Sequence, residues 1–359
     1  MDDRSFTAAQ DFLLSAKTFW TTTLYGAVRD SYSEKANHSQ DGASDSVEAV
    51  AEALEDTTLY QFYAWLERHL QRMKYAGRYG LVPYHEERRR EMLEALGHVD
   101  TDDRFLELNE NLDLPAYYTG VDIHQHPGGV WSDALAGVIY ERGARTTTPL
   151  LDAAGKDVHE RFTDLALAGG SHSNVLDMGC GFGKSTQPFF RRLPDSRIEG
   201  VDLAAPCIKL AASLAQKAQS KNVRFRQMNA CNTDYANESF DLVTSTMVLH
   251  ELPPKTLDEF FDEAFRVLSP GGRMVNLDFY CLPDAFRRFI HYGHARRNNE
   301  SYMGPLAEMD ISKLLTSKGF VDVEILPFKE TEGVDIDANG SWRFPWTVIA
   351  ARKPERCGS

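Results

Sequence analysis

The chain lacks any apolar run near the ~18 residues that a membrane-crossing helix needs. No membrane partner is therefore expected. Its first residues, MDDRSFTAAQ, are acidic and lack the basic-then-apolar order of a secretory signal. Cysteine is scarce, with five in 359 residues. Cys180, Cys207, Cys231, Cys281 and Cys357 are widely spaced, odd in number and without a C-x-x-C pair. A disulfide framework is not expected on that pattern, and a cytoplasmic location is. Positive charge is also short. Lys and Arg total 39 against 53 Asp and Glu, a formal charge of −14. Such a chain repels phosphate backbones, so nucleic acid is not an expected partner. The dense basic run Arg88-Arg89-Arg90 sits among Glu86, Glu87 and Glu91, as a solvated helix face does.

What is present is the material of a packed protein, 42% hydrophobic and 11% aromatic. At roughly 150 residues per domain the length predicts two domains, or one with a large extension. The two parts read differently. Residues 6–28, 47–75 and 86–96 carry apolar side chains at helical spacing, with a polar loop expected at 34–47. They predict an all-helical N-terminal domain over residues 1–145, serving as a cap, a dimerisation region, or both. From Asn174 onward, strand-like runs alternate with helical ones: NVLDM, RIEGVD, VRFRQM, FDLVTST, RMVNLDF, VDVEILPF and WTVIAAR. That order predicts an α/β domain over residues 146–359. It would hold a Rossmann-like, mostly parallel seven-stranded sheet with helices on both faces, ending in a hairpin-like pair.

The densest chemistry lies in VLDMGCGFG at 175–183. A buried strand enters a glycine turn and a helix follows. Glycine there permits positive φ and close ligand approach. The spacing is G-x-G-x-G, and Lys184 stands where a dinucleotide fingerprint would place its third glycine. Asp177, in the approach to the turn, favours an ammonium over a pyrophosphate. Asp202 ends the next strand, where a carboxylate bonds a ribose diol. The expected ligand thus has a ribose and an amino group but no phosphate.

These residues resemble the class I S-adenosylmethionine-dependent methyltransferases. The resemblance covers about residues 145–352, through VLDMGCGFG, GVDLA, MNAC, FDLVTSTMVLHELPP and LSPGGRMVNLDF. It implies S-adenosyl-L-methionine as cofactor, with contacts from Asp177, Gly179, Cys180, Gly181, Gly183, Asp202, Leu203, Asn229, Ala230 and Thr246. Asn229 stands where the family usually has an acid. The Asn/Asp-Pro-Pro-aromatic tetrapeptide of base- and glutamine-modifying members is missing at Thr244–Met247. Together with the acidic charge, this moves weight to a small organic acceptor, methylated on O or C by preference and on S or N otherwise, in secondary metabolism. A protein methyltransferase, a non-catalytic S-adenosylmethionine-binding regulatory module and a nicotinamide oxidoreductase are the rivals.

If a base is used, His250 and Glu251 after the fourth strand are the candidates, with Asp278, Tyr280, His291 and His294 beyond them. Trp131, Tyr140, Tyr280, His291 and His294 are the candidate substrate contacts. The stretch DIHQHPGGVWSD at 122–133 is expected to fold over the site, with Gly128 and Gly129 as a hinge. His124-x-His126 and His291-x-x-His294 have the residue types of metal ligands, but nothing in the sequence joins them, and no metal is assigned. Cys180 and Cys207 read as buried structural thiols.

Overall fold

A computed structural model describes residues 1–38, 45–97, 104–146, 157–282, 284–335 and 340–356. Residues 39–44 of the expected polar loop, Cys357, and the segment just after the expected boundary at 145/146 lie outside them.

The sheet has eight strands: β1 (Leu106–Glu107), β2 (Asn174–Met178), β3 (Arg197–Asp202), β4 (Val223–Gln227), β5 (Phe240–Thr246), β6 (Leu268–Phe279), β7 (Val321–Pro327) and β8 (Trp346–Arg352). Their order is β1-β4-β3-β2-β5-β6-β8-β7, with β8 alone running opposite to the other seven. Seven of these are the expected strands, and β7 and β8 form the expected antiparallel pair. The eighth, β1, comes from the otherwise helical N-terminal region and pairs in parallel with β4. Two residues are too short to leave a periodic signal, and only the exposed edge of β4 selects them.

Successive residues along the strands serve opposite faces, as a pleated strand requires. Val175, Leu242 and Val275 join one core, while Leu176, Val243 and Met274 join the other. The first core also takes Leu13, Trp20, Tyr25, Val28, Tyr60 and Tyr63 from the N-terminal helices. The N-terminal helices and the sheet are therefore packed on one continuous apolar core.

The expected run at 47–75 divides into Val47–Leu54 and Thr58–Ala76. Thr57 is the cause: its hydroxyl accepts the Tyr60 N–H and opens a second helix. The expected run at 6–28 is interrupted by one π-helical turn at Trp20–Leu24 between Asp3–Phe19 and Tyr25–His38. A widened turn of this kind redirects side chains. The Thr21 carbonyl accepts the Trp342 N–H at 2.8 Å, tying the 342–346 segment to the cap. Gly137 in the helix Ala136–Ala144 lets that helix approach Ala205–Lys217; a Cβ at 137 would lie 2.4 Å from the Pro206 carbonyl oxygen.

Candidate active site

A cavity of about 310 Å³ opens where the carboxyl ends of the parallel strands meet the N-terminal helices. Ligands of open α/β sheets bind at that end because the strand-to-helix turns leave a crevice there.

The glycine turn forms one wall. Gly179, Gly181 and Gly183 hold φ of +77°, +51° and +80°. The Gly179 and Cys180 N–H groups both donate to the Val201 carbonyl, which fastens the turn to β3. At Gly181 a Cβ would project into space, with nothing nearer than Tyr140 at 4.0 Å. That missing side chain leaves a cradle for a ligand. Gly179, Cys180 and Gly181 line the cavity. Gly183 does not; it faces Ala211 and Phe225, where it allows helix and strand to touch.

Asp177 lies behind this wall rather than on it. It is fully buried, and its Oδ2 accepts the hydroxyls of Ser185 at 2.6 Å and Thr186 at 2.7 Å. Burial raises its pKa against those hydrogen bonds. In this position it shapes the turn and the start of the next helix, and it does not face the cavity. The next-turn acid is placed differently. Asp202 lines the cavity, with Oδ2 accepting the Gly181 N–H at 2.9 Å and Oδ1 the Ala204 N–H at 2.8 Å. Burial lifts its pKa to about 6, against the pull of those two amides. Leu203, Asn229 and Ala230 stand beside it on the cavity wall. The Asn229 side-chain oxygen accepts the Cys231 N–H at 2.9 Å. Thr246, at the tip of β5, also lines the cavity, and its buried hydroxyl has no hydrogen-bond partner. An orphaned hydroxyl, an open glycine cradle and a carboxylate at a strand tip fit a polar nucleoside ligand with no phosphate.

Further along the wall, His250 is buried with its Nδ1 2.7 Å from Asp278 Oδ1. Asp278 also accepts the Leu249 N–H at 2.7 Å, so the carboxylate is held from two sides. His250 Nε2 lies 3.9 Å from Glu300. Burial works against the imidazolium, but Asp278, with Glu251 and Glu300, outweighs it and raises the His250 pKa. Glu300 is within 3.1 Å of His124 Nδ1 and 3.6 Å of His294 Nε2. His124 reaches Glu251 with its other nitrogen at 3.4 Å, and His294 reaches Glu67. Despite burial, these carboxylates lift His124 and His294 to about 9. The network joins the cap helix carrying Glu67, the 122–129 loop and the helix Ala285–Asn298.

Of the expected substrate contacts, Tyr140 and His294 line the cavity, as do His250 and Glu251. Three others do not reach it. Trp131 packs with Val130, Ala204 and Cys207 beside the cavity wall. Tyr280 gives its hydroxyl to the Met309 carbonyl and packs in the second core. His291 is buried away from the cavity with neither ring nitrogen partnered, and burial drives its pKa down to about 3. His294, three residues on, is turned toward the cavity. The expected loop at 122–133 does contribute Ile123, His124 and Val130 to the wall.

One stretch of the wall is aromatic: Trp20, Phe279, Trp342, Phe344 and Trp346. Phe279 stacks on Phe344 at 4.2 Å, and Trp342 meets Trp20 at 5.2 Å. Of these, the alternation Trp342-x-Phe344-x-Trp346 was visible in the sequence. Lys17, Glu67, Gln71 and Glu300 also belong to the site, and no motif marks them.

The sheet order and this strand-tip site define an α/β domain that takes a nucleoside ligand across a glycine turn. Residues 175–272 match a family model described as a methyltransferase domain. An arsenite methyltransferase of Halobacterium salinarum is 30% identical over 51% of this chain and 47% of its own. A demethylmenaquinone methyltransferase of Lactiplantibacillus plantarum is 36% identical over 30% of this chain and 46% of its own. Erythromycin 3''-O-methyltransferase of Saccharopolyspora erythraea is 30% identical over 55% of this chain and 62% of its own. The chain thus spans about half the length of the first two of these relatives. Residues 175–272 thus form a methyltransferase domain, similar to those of the class I S-adenosylmethionine-dependent enzymes.

Proposed function

We propose that the chain transfers the methyl group of S-adenosylmethionine to a small organic metabolite, by O- or C-methylation, in cytoplasmic secondary metabolism. The observation that carries this reading is one continuous cavity running from Asp202 and the glycine turn to His250, Glu300 and the aromatic wall. Its volume is in the range of small-molecule sites, where apolar walls carry a few placed polar groups.

When bound, the cofactor supplies a sulfonium methyl open to in-line displacement. The chain's own residues then have three tasks. Asp202 accepts the ribose hydroxyls, beside Leu203, Asn229 and Ala230. Trp20, Trp342, Phe344 and Trp346 hold the acceptor and exclude water, and such positioning contributes up to roughly 7–11 kcal/mol. His250, its Nδ1–H directed to Asp278, presents Nε2 as the base for an acceptor proton, with Glu251 beside it. Residues 1–145 act as the cap that closes the acceptor end, and residues 146–359 as the catalytic domain.

The organic acceptors named for two of the relatives support this choice over the arsenical named for the other. Cys180, Cys207 and Cys231 line the cavity, but each Sγ lies 3.6–3.9 Å from a backbone carbonyl oxygen, and burial raises all three thiol pKa values. Protonated, carbonyl-directed thiols are poor ligands for a thiophilic ion.

Calorimetric titration with S-adenosylmethionine, with NADH as control, tests the cofactor. Micromolar binding of the first alone is expected, and its absence would sink the reading. Release of S-adenosylhomocysteine across a panel of hydroxylated aromatics, quinols and thiols then tests the acceptor class.

A further inference from the structure

Lys17 is on the helix Asp3–Phe19 of the cap, and it lines the same cavity as the glycine turn. Its ammonium donates to two neutral oxygens, the Gln71 side-chain carbonyl at 3.3 Å and the Thr146 backbone carbonyl at 3.0 Å. Gln71 is held in that orientation because its amide nitrogen donates to the His124 carbonyl at 2.8 Å. No carboxylate among the described residues lies within salt-bridge distance of Lys17. Glu67, whose negative charge acts on it, is already engaged by Arg297, His294 and Asn298.

The carboxylates of the acceptor-side wall are placed differently. Glu67, Glu251 and Glu300, which line the cavity too, are each matched by a basic group, while Asp202 is held by two backbone amides. Lys17 is half-buried, and a charge drawn out of water without a counter-ion is costly, so such charges are paired or serve a ligand. An ammonium has three donors, and Lys17 spends two on neutral carbonyls. Burial, opposed by Glu67, draws its pKa down to about 8, so it still enters the cavity charged at neutral pH.

We propose that Lys17, braced by Gln71 and Thr146, is an anion subsite in the cavity that receives the carboxylate of a bound ligand. The inference rests on the cofactor reading above. Two sources can supply that carboxylate, the amino-acid end of the cofactor or an acid group on the acceptor. In either case the N-terminal region completes the site and does not merely cover it.

The test compares wild type, Lys17→Met and Lys17→Arg by calorimetry. The probes are S-adenosylhomocysteine, its decarboxylated analogue, and benzoate added to protein saturated with S-adenosylhomocysteine. If the carboxylate is the cofactor's, wild type prefers S-adenosylhomocysteine over the analogue by about 10- to 100-fold. Lys17→Met then binds both alike, and Lys17→Arg recovers part of the preference. If it is the acceptor's, the two nucleosides bind alike, and benzoate binds wild type but not Lys17→Met. The thermal midpoint of the ligand-free protein separates these results from a structural role. Removing an uncompensated charge leaves it unchanged or raises it, whereas loss of a structural tie lowers it. Nucleoside and benzoate binding that are both indifferent to residue 17 would overturn the proposal while leaving the cofactor reading intact. Failure of wild type to bind S-adenosylhomocysteine at all would overturn both.

Discussion

His250 Nδ1 and Asp278 Oδ1 lie 2.7 Å apart in the buried wall of the cavity. The contact selects the tautomer that carries its proton on Nδ1 and leaves Nε2 free to accept one. If His250 is the base, His250→Ala lowers kcat by about 10²- to 10⁴-fold with little change in KM. Only the neutral imidazole accepts a proton, and its pKa is raised above the ordinary value of 6.5. The acid limb of the rate profile therefore sits above pH 6.5. Asp278→Asn removes the charge that raises it and moves that limb to lower pH. A limb that stays in place in Asp278→Asn, with kcat unchanged in His250→Ala, would make the pair structural.

Asp202 accepts two backbone amides at the cavity wall, and on the proposed function it also accepts a ribose diol. Asp202→Ala is expected to weaken S-adenosylmethionine binding by about 10- to 100-fold. With a pKa near 6, the wild-type carboxylate protonates just below neutrality, so cofactor affinity should fall as pH drops through 6. Stability moves the other way. A carboxyl whose pKa is higher folded than unfolded binds its proton more tightly in the fold, so acidification from about 6 toward 4 favours the native state. Titration calorimetry and thermal melts across pH 5–8 check both signs. An affinity independent of residue 202 would remove it from the cofactor site.

Glu300 serves His124 and His294 together, and its own pKa is driven well below the usual range by them, against the effect of burial. Glu300→Gln leaves two buried imidazoliums short of an anion and should cost about 3 kcal/mol in denaturant unfolding. His124 and His294 have folded pKa values near 9, above the unfolded 6.5. The stability they contribute is full below pH 6.5 and is lost as pH rises through about 9. Wild type should therefore lose stability over that window, and Glu300→Gln should lose less. Parallel pH–stability curves for the two proteins would contradict the network.

Gly179 holds φ of +77°, and a Cβ there would lie 2.5 Å from Val248 Cγ2. Gly179→Ala adds backbone strain to that clash. The expected cost is about 1–3 kcal/mol of stability, together with loss of cofactor binding because the turn must shift. A variant that melts and binds like wild type would show that the turn accommodates a side chain.

Much of the α/β half was legible because its information is local. Strand periodicity, glycine spacing and strand-tip acids act over a few residues, and seven of the strands fell where the alternation placed them. Asp177 shows the limit of such reading. Its place before the turn was visible, but the hydroxyls of Ser185 and Thr186 that turn it away from the cavity are eight and nine residues on. His291 and His294 looked equivalent in sequence. Their positions on one helix point them differently, and only the packing of that helix decides which meets the cavity.

The sequence by itself determined the domain class, the cofactor chemistry implied by the turn, and the helical character of the N-terminal region. Each of these follows from backbone preferences and short-range patterning. The tertiary structure alone decided the side of the cavity built by the N-terminal helices. Lys17, Trp20, Glu67, Gln71, Glu300 and Trp342 lie up to 325 positions apart in the chain. They carry no motif, because nothing in their immediate neighbours requires them. What brings them to one cavity is burial of the cap against the sheet, and what makes their charges tolerable is that, Lys17 apart, partners from distant segments arrive together.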